Sequence, residues 1–448
     1  MNRLTSFRIC LALGGGLALA GLQQHLLQHR PPRLVQLIST TATSGPAALD
    51  LSFSRPMQRA SLAQSSKLNP AMALRWLGEG NTLRLLLEPG QIINSPLTLV
   101  LRGVDQRNLG LSPQRWSWDP RPYLLAVVPT ADGEQLQMQS RDGRWHGLTP
   151  SFPTLASVVP LGDGSGIALS TLDGQSSHRL WLLPVQQRNL ARLEPGSLGR
   201  LEEPKPAGLR SLSDQNLRYA QISSNRRGDL LVQSSTIALG EETTTFWPSH
   251  GGRTTLGIKA SGPMQLLPEG GGVIVPQVEG LTLYSLPGQA SRRQVLPGSR
   301  DLSSFCPMSG RALLVRHWPD YRRSLELVEP GQPPRQLWIG GEAVLASACD
   351  RGGERVWLVI NDWNRGSQPQ LLALDRRGQQ LKQRVLTGWQ VEPGSAMAFD
   401  PTRQQLLLTL RRSVQGTEGA RAVLVDGQTL QLQPMDKPVR LALWLPAG

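Results

Sequence analysis

Short apolar segments recur in pairs from Leu124 to Leu410, and a tight turn joins the two segments of each pair. The turns align on seven positions: Gly133, Gly164, Gly228, Gly272, Gly310, Gly353 and Gln404. The mean spacing of these positions is about 45 residues, the period expected of a four-stranded blade. Further apolar segments, such as residues 325–328 and 371–375, follow the pairs and supply outer strands. The pattern therefore predicts a seven-bladed β-propeller over residues 119–448.

Two of the spacings between aligned turns depart strongly from this mean. The shortest, between Gly133 and Gly164, leaves the first unit short of a strand, while residues 439–446 form a strand without a blade of its own. Since closure removes exposed sheet edges, we expect this tail to add the missing outer strand to blade one. The longest spacing, between Gly164 and Gly228, contains residues 194–215. We expect these to form a surface loop because they are rich in Pro, Gly and charged residues.

The composition suits many short strands and limits the choice of partners. The chain has 46 Gly and 35 Pro, and its 47 Lys and Arg against 33 Asp and Glu give a net charge of +14. The basic residues are dispersed rather than concentrated on one element, which argues against a nucleic-acid partner. After Leu22 no segment is long and apolar enough to span a membrane. We expect membrane contact only through the N-terminal segment.

The N-terminus has the pattern of an export signal. Arg3 and Arg8 precede an apolar run over residues 9–22, and small residues around Ala20 provide a cleavage site before Gly21. The run is shorter than the roughly 20 residues of a membrane span, but an uncleaved anchor is an open alternative. We assign residues 1–22 to a signal peptide or membrane anchor and residues 23–34 to a linker. The protein is then periplasmic or secreted, and tethered to the inner membrane if residues 9–22 are retained.

Residues 35–118 have the pattern of a separate β-sandwich. Leu49, Leu51 and Phe53 alternate with polar residues, which predicts a strand with one buried face, and Pro56 ends it because proline cannot donate to a ladder. The segment resembles the bacterial Ig-like domain of S-layer and other exported proteins. The resemblance is carried by this strand and by Asn69-Pro70, Trp76, residues 83–87, residues 97–101, Asp105 and residues 116–118. Such domains act as spacers or adhesive modules, so the resemblance implies no catalysis.

The turns of the repeated units carry a second resemblance. Asp132-Gly133 and Asp163-Gly164 are the most faithful turns, and residues 307–310 and 400–403 keep the turn with other residues. This pattern resembles that of WD40-like propellers of the TolB type. The resemblance implies a periplasmic binding or assembly platform.

We find no motif for catalysis, metal binding or a cofactor. Residues 163–166, Asp-Gly-Ser-Gly, lack the first glycine of a hydrolase elbow and lie in a hairpin. The histidines are scattered, and no zinc or calcium spacing occurs. Asp350 and Asp400 lie beside turns and are most simply turn-capping residues, although carboxylates from different blades could also pair in the central channel. A propeller enzyme of the lactonase, glycosidase or quinoprotein type, with its site in that channel, is the alternative reading.

Cys306 and Cys349 occupy equivalent positions, each four residues before a turn glycine of consecutive units. Equivalent positions on neighbouring inner strands point the same way. The two cysteines are therefore either buried thiols that pack as small apolar side chains or the halves of an inter-blade disulfide.

Polar and aromatic residues concentrate in the loops between the second and third strands of blades five, six and seven. We expect these loops to open side by side on one face, where Trp, Tyr and Arg would suit recognition of a protein segment or a glycan. The alternative is that the tryptophans pack between blades and the arginines neutralise nearby acids. The candidate partner-binding residues are His317, Trp318, Asp320, Tyr321, Arg322, Arg323, Asp362, Trp363, Asn364, Arg365, Arg411 and Arg412.

The sequence thus favours an exported, monomeric, non-enzymatic protein with no cofactor and no metal. We expect it to bind an envelope protein or glycan through the propeller face. A purely structural envelope component, in which neither face is used, is a further possibility.

Overall fold

The computed structural model of the protein describes residues 16–26, 29–42, 44–174, 176–186, 198–200, 204–213, 215–237, 242–307, 310–362, 368–412 and 419–446. Apart from a helix over residues 16–26 (α1) and the helix Arg59–Ser65 (α2), its regular structure consists of β-strands, as predicted for an all-β chain. Most of the predicted export segment, residues 1–15, lies outside the described residues. Within the part of the chain that the structure describes, no helix is long and apolar enough to cross a membrane.

The strands fall into an N-terminal group and a longer second group. The first comprises β1 (Leu34–Thr40), β2 (Ala48–Phe53), β3 (Lys67–Asn69), β4 (Leu74–Glu79), β5 (Thr82–Leu87), β6 (Leu97–Leu101) and β7 (Gln114–Trp118). The second begins with β8 (Tyr123–Thr130), β9 (Gly133–Gln139), β10 (Trp145–Gly147), β11 (Thr154–Pro160), β12 (Gly166–Leu172), β13 (His178–Gln186), β14 (Leu198–Arg200), β15 (Lys205–Pro206), β16 (Arg210–Ser211), β17 (Leu217–Ser224), β18 (Leu230–Thr236), β19 (Glu242–Trp247) and β20 (Thr254–Leu256).

It continues with β21 (Gln265–Leu266), β22 (Gly272–Gln277), β23 (Gly280–Ser285), β24 (Arg293–Pro297), β25 (Arg300–Cys306), β26 (Arg311–His317), β27 (Arg323–Val328), β28 (Arg335–Gly340), β29 (Ala343–Cys349), β30 (Arg355–Asn361), β31 (Gln370–Asp375), β32 (Gln380–Val385), β33 (Trp389–Val391), β34 (Ala398–Asp400), β35 (Gln405–Arg412), β36 (Arg421–Asp426), β37 (Leu432–Pro438) and β38 (Leu441–Leu445).

The N-terminal strands form two sheets with a common core. One sheet has the order β1-β2-β5-β4 and the other the order β14-β7-β6-β3. The alternation along β2 buries Leu49, Leu51 and Phe53, which pack in one hydrophobic cluster with residues of the second sheet such as Leu99 and Trp116. The two sheets therefore enclose the core of this N-terminal domain between them.

The segment expected to be a surface loop also contributes strands. Within it, β14 pairs in parallel with β7 of the N-terminal domain, and β15 and β16 pair with β13. An edge strand such as β7 presents unpaired backbone groups, and β14 covers them. The described part of the insertion thus ties the N-terminal domain to the rest of the chain.

The second group of strands forms successive antiparallel sheets. Strands β21 to β24, β25 to β28 and β29 to β32 each make a four-stranded sheet in sequence order. The first strands of neighbouring sheets lie against one another, as β25 does against β29 and β17 against β21. Hydrophobic clusters fill the space between sheets, for example Leu313 and Leu327 with Val356 and Leu358. This arrangement of sheets around an axis is that of a β-propeller.

The C-terminal strand closes this arrangement, but not in the predicted position. β38 pairs with β8 in a sheet of order β10-β9-β8-β38, and it packs against β34 and β11, the first strands of the neighbouring sheets. It is therefore the innermost strand of its sheet, and the expectation of an outer strand is wrong. The inner strand of a propeller sheet is covered on both faces by the neighbouring sheets. β38 is covered in this way, since Ala442 packs towards one neighbouring sheet and Leu445 towards the other.

Candidate functional site

The two ends of the propeller sheets carry different connections. We call the end with the first hairpin turns, at Gly228, Gly310, Gly353 and Gln404, the turn face. Antiparallel strands place the connections between second and third strands at the opposite end, which we call the loop face. It carries the connections after β26, β30 and β35 and so holds all the candidate partner-binding residues that the structure describes. Trp363, Asn364 and Arg365 lie outside the described residues.

Two adjoining cavities open among these loops. One, of about 380 Å³, is lined by Asp301, His317 and Arg323, and the other, of about 360 Å³, by Glu392 and Arg411. The cavities share the lining residues Val344, Leu345, Gly394 and Ser395. Side chains from three consecutive sheets therefore meet in one depression, which we call the loop-face groove.

His317 and Trp318 are held by their own sheet. The His317 Nε2 lies 2.7 Å from Asp301 Oδ2 at the rim of the groove. The Trp318 indole N–H donates to Ser324 Oγ at 2.9 Å, and the Arg316 guanidinium stacks on the Trp318 ring at 3.7 Å. Trp318 is thus half-buried and fixed in orientation.

The loop between β26 and β27 presents an aromatic residue to solvent. Tyr321 is 90% exposed, and its φ of 66° lies in the left-handed region that bulky residues rarely adopt. The Trp318 N–H donates to the Arg322 carbonyl and the Tyr321 N–H to the Trp318 carbonyl, both at 3.0 Å, so the turn is closed. An exposed aromatic held in an unfavourable backbone conformation is a candidate for recognition.

Asp320 and Arg322 flank this tyrosine as an ion pair, with Arg322 Nε 2.7 Å from Asp320 Oδ2. Loss of water contact works against ionisation, but hydrogen bonds from the side chain and backbone of Arg322 hold the pKa of Asp320 below its usual value. Both side chains are half-exposed, so the pair remains accessible to a partner.

The last two candidates lie on β35. Arg411 donates to Glu392 Oε1 at 2.7 Å, and Glu392 is buried. Arg412 stacks on the Trp389 ring at 4.4 Å. Arg411 therefore neutralises an acid, as the alternative interpretation expected. Asp362 is half-buried and Arg412 is exposed, and neither of these two residues lines the groove.

Sequence reasoning missed Asp301, Trp389 and Glu392, which face the predicted loops. Asp301 lies on β25, Trp389 lies on β33, and Glu392 directly follows β33. None of the three belongs to the loops in which the sequence predicted the site. The one feature that could have identified them is their place in the topology. Each lies near the connection from one sheet to the next, and these connections lie at the loop face.

Asp350 and Asp400 both lie on the turn face and cap turns. Asp350 Oδ1 accepts from the Glu354 N–H at 2.9 Å, and Asp400 Oδ1 accepts from the Thr402 N–H at 2.8 Å. Among the described residues, no group of three or more His, Cys, Asp and Glu side chains is arranged to hold a metal ion.

The N-terminal domain sits on the turn face. Arg226 and Arg351, from the first hairpin turns of two sheets, both donate to the backbone carbonyl of Ala42, and Arg351 also donates to the carbonyl of Pro46 at 3.1 Å. The Ile93 N–H donates to the Thr402 carbonyl at 2.7 Å. Because the domain occupies the turn face, it leaves the loop-face groove uncovered.

No protein-family model and no curated protein matches the sequence. Solved structures that are similar include TolB from Acinetobacter baumannii, with 12% identity over 80% of this chain and 81% of that chain and a TM-score of 0.41. The BP39L lectin from Burkholderia pseudomallei is 13% identical over 70% of this chain and 95% of the lectin, with a TM-score of 0.44. The β-propeller domain of the Trilobed protease from Pyrococcus furiosus is 10% identical over 78% of this chain and 96% of that domain, with a TM-score of 0.43. Similarity at this level concerns the fold alone.

Proposed function

We propose that this protein is an exported, non-enzymatic binding or scaffold protein of the cell envelope that engages a protein or glycan through the loop-face groove. The observation that carries the proposal is the groove itself. Three consecutive sheets contribute its polar side chains, and the N-terminal domain leaves it open.

The chemistry around the groove supports recognition. Arg316 on Trp318 and Arg412 on Trp389 form cation–π stacks beside it, and Tyr321 projects into solvent next to the Asp320–Arg322 pair. Stacked and ion-paired side chains are already ordered, so a partner gains large contact area at low entropic cost.

We further propose that the protein functions outside the cytoplasm. The charged and apolar pattern of residues 1–22 supports export, with the chain tethered by residues 9–22 if they are not removed. The bond between Cys306 and Cys349 agrees with an oxidising compartment, because structural disulfides are rare in the cytosol.

The finer architecture belongs to the same proposal. The nine-stranded sheet divides naturally between β13 and β17, which are joined by the single residue pair His178 and Leu217. Dividing it there gives the seven blades that the turn spacing predicts. We regard the two N-terminal sheets as a bacterial Ig-like sandwich that holds the turn face and directs the loop face outwards.

Crosslinking and pull-down from envelope fractions with residues 21–448 test the binding function. The groove variant combines Arg323→Ala and Arg411→Ala, which line the groove, with Tyr321→Ala in the adjoining loop, and leaves Trp318 in place because Ser324 and Arg316 fix it. The matched control combines Arg144→Ala, Arg377→Ala and Leu381→Ala, exposed positions outside the groove.

Loss of a reproducible partner in the groove variant but not in the control supports the proposal. Equal capture by both variants removes the groove as the binding site. No partner for any of the three proteins contradicts a binding function and favours an enzyme with a channel site, to be followed by hydrolase and lactonase substrate screens.

A further inference from the structure

A second site lies away from the loop-face groove, where the N-terminal domain meets the turn face. A cavity of about 240 Å³ is lined by Thr40 from the N-terminal domain and by Arg351, Asp400 and Trp444 from the propeller. Its remaining walls are largely apolar and include Phe399. None of its residues belongs to the groove.

Three of the residues that line this cavity each carry a buried polar atom without a partner. Thr40 Oγ1, Asp400 Oδ2 and Trp444 Nε1 are all buried, and among the described residues none of these atoms makes a hydrogen bond. They come from three separate strands, β1, β34 and β38. Each unsatisfied buried polar group costs about 1–3 kcal/mol. Convergence of three such groups on one cavity indicates that a bound molecule supplies the missing partners.

Arg351 adds a buried positive charge to the same cavity. Its hydrogen bonds go to the backbone carbonyls of Ala42, Gly45 and Pro46. Among the described residues no carboxylate is close enough to form an ion pair with it, although Asp400 acts on its charge from the same cavity. Burial, together with the nearby Arg226, lowers the pKa of Arg351 to about 10, so it stays cationic at neutral pH. The charge of Asp400 acts on the Arg351 pKa in the opposite direction, but less than burial and Arg226 do, so a further anion beside Arg351 would be stabilised.

The donors in the cavity define the chemical class of its ligand. An indole N–H and a guanidinium can only donate, and a threonine hydroxyl can donate. Burial raises the pKa of Asp400, so this carboxyl opposes an anionic ligand less than an ordinary aspartate would. The three donors match a carboxylate, whose two oxygens offer about four lone-pair sites and accept charge-assisted hydrogen bonds.

We propose that this cavity binds a small molecule that carries one carboxylate on an apolar body. The carboxylate accepts from Thr40, Trp444 and Arg351, and the body packs on Phe399. A neighbouring cavity of about 600 Å³ shares Arg351 and Phe399 and gives the body room to extend. The two volumes lie near the range of about 300–1,000 Å³ that is usual for small-molecule sites.

Isothermal titration of residues 21–448 with benzoate tests the proposal, with benzyl alcohol as the neutral probe of the same shape. We expect saturable binding of benzoate and at least tenfold weaker binding of benzyl alcohol. Thr40→Val removes one donor with little change of shape, and Trp444→Phe removes the indole N–H together with one ring. Each should weaken benzoate binding about tenfold. Thr40→Val should not lower the unfolding midpoint, since it removes an unsatisfied hydroxyl.

Asp400→Asn is the control, because it removes the carboxyl but none of the three donors, and binding should not weaken by more than about twofold. Absence of saturable benzoate binding overturns the proposal, as does equal affinity of the wild type and both donor variants. Loss of benzoate binding in Asp400→Asn alone also contradicts it, because the site would then depend on the Asp400 carboxyl rather than on the three donors. The groove variant should bind benzoate like the wild type, so failure of the proposed envelope function would leave this result unaffected.

Discussion

Cys306 and Cys349 are joined by a disulfide that links the ends of β25 and β29, with their Cα atoms 5.3 Å apart. Both side chains are buried in the cluster between two neighbouring propeller sheets. The bond therefore fixes the first strands of these sheets to each other at the turn face.

Removing this bond should destabilise the propeller. The cysteines are 43 residues apart in sequence, and the loop-closure entropy for that separation predicts a loss of about 4 kcal/mol in unfolding free energy. Urea unfolding of the Cys306→Ala/Cys349→Ala variant, compared with the oxidised wild type, measures the loss. Reduced wild type should resemble the double variant. A difference below about 1 kcal/mol would show that the bond does not constrain the chain.

A second prediction concerns the attachment of the N-terminal domain. Arg351→Met removes a donor from three backbone carbonyls around Gly45. Those of Gly45 and Pro46 lose the donor that Arg351 provides, whereas the Ala42 carbonyl keeps its hydrogen bond from Arg226. Each unsatisfied buried acceptor costs about 1–3 kcal/mol, so hydrogen exchange in the peptide that contains Ala42 and Pro46 should accelerate about tenfold or more. Mass spectrometry of exchanged peptides measures this effect.

Arg377→Ala is the control for that measurement, since Arg377 is exposed and makes no hydrogen bond to the described residues of the N-terminal domain. Unchanged exchange in Arg351→Met would mean that other contacts, such as Ile93 with Thr402, suffice to hold the domain.

The repeated hairpins could be read from the sequence because their turns need unusual backbone angles. Gly164, Gly228 and Gly353 have φ values of 77°, 76° and 71°, which glycine adopts without steric cost. Gln404, aligned with them, has a φ of 55° in the same region. Gly133 has a φ of 127° and belongs to a different turn, between the second and third strands of its sheet. Aligning it with the others displaced blade one by one strand and led to the wrong position for β38.

The position of β38 yields a third prediction. Leu445 is fully buried and packs with Tyr123, Leu125 and Leu155, so Leu445→Ala should lower the unfolding free energy by about 2–5 kcal/mol. Leu381→Ala makes the same change on β32, where the side chain is 49% exposed, and should cost less than about 0.5 kcal/mol. Urea unfolding of both variants provides the comparison. Similar values for the two would contradict an innermost, ring-closing role for β38.

The candidate site was only partly accessible to sequence reasoning. Loops at one topological position share one end of the sheets, so the meeting of His317, Arg323 and Arg411 followed from the repeat. Glu392 and Asp301 could not be assigned, because the connections between sheets vary in length and only the folded topology brings them beside the loops. The inter-domain cavity was also out of reach, since it depends on the way two domains pack.

The final prediction concerns the pH dependence of stability at Asp400. Burial raises the pKa of Asp400 above its ordinary 3.8, although hydrogen bonds from Thr402 and the charge of Arg403 act in the opposite direction. The folded state therefore keeps the proton to higher pH than the unfolded state does. The free energy of unfolding should decline as pH rises from the ordinary pKa of Asp400 through its raised pKa in the folded state, and should remain lower above that pKa. Asp400→Asn has no proton to lose, so it should gain stability relative to the wild type over this window.

Urea midpoints of both proteins between about pH 4 and pH 8 measure that gain. Asp426→Asn is the matched control of opposite sign. Burial works against ionisation there too, but hydrogen bonds from Thr429 and Gln428 lower the pKa of Asp426 below 3.8. Asp426 contributes stability above its ordinary pKa that is lost as pH falls through the lowered value, so its asparagine variant should lose stability relative to the wild type as pH rises. Parallel curves for wild type and Asp400→Asn would mean that Asp400 is ionised in the folded protein, with Arg351 and Arg121 close enough to offset its burial.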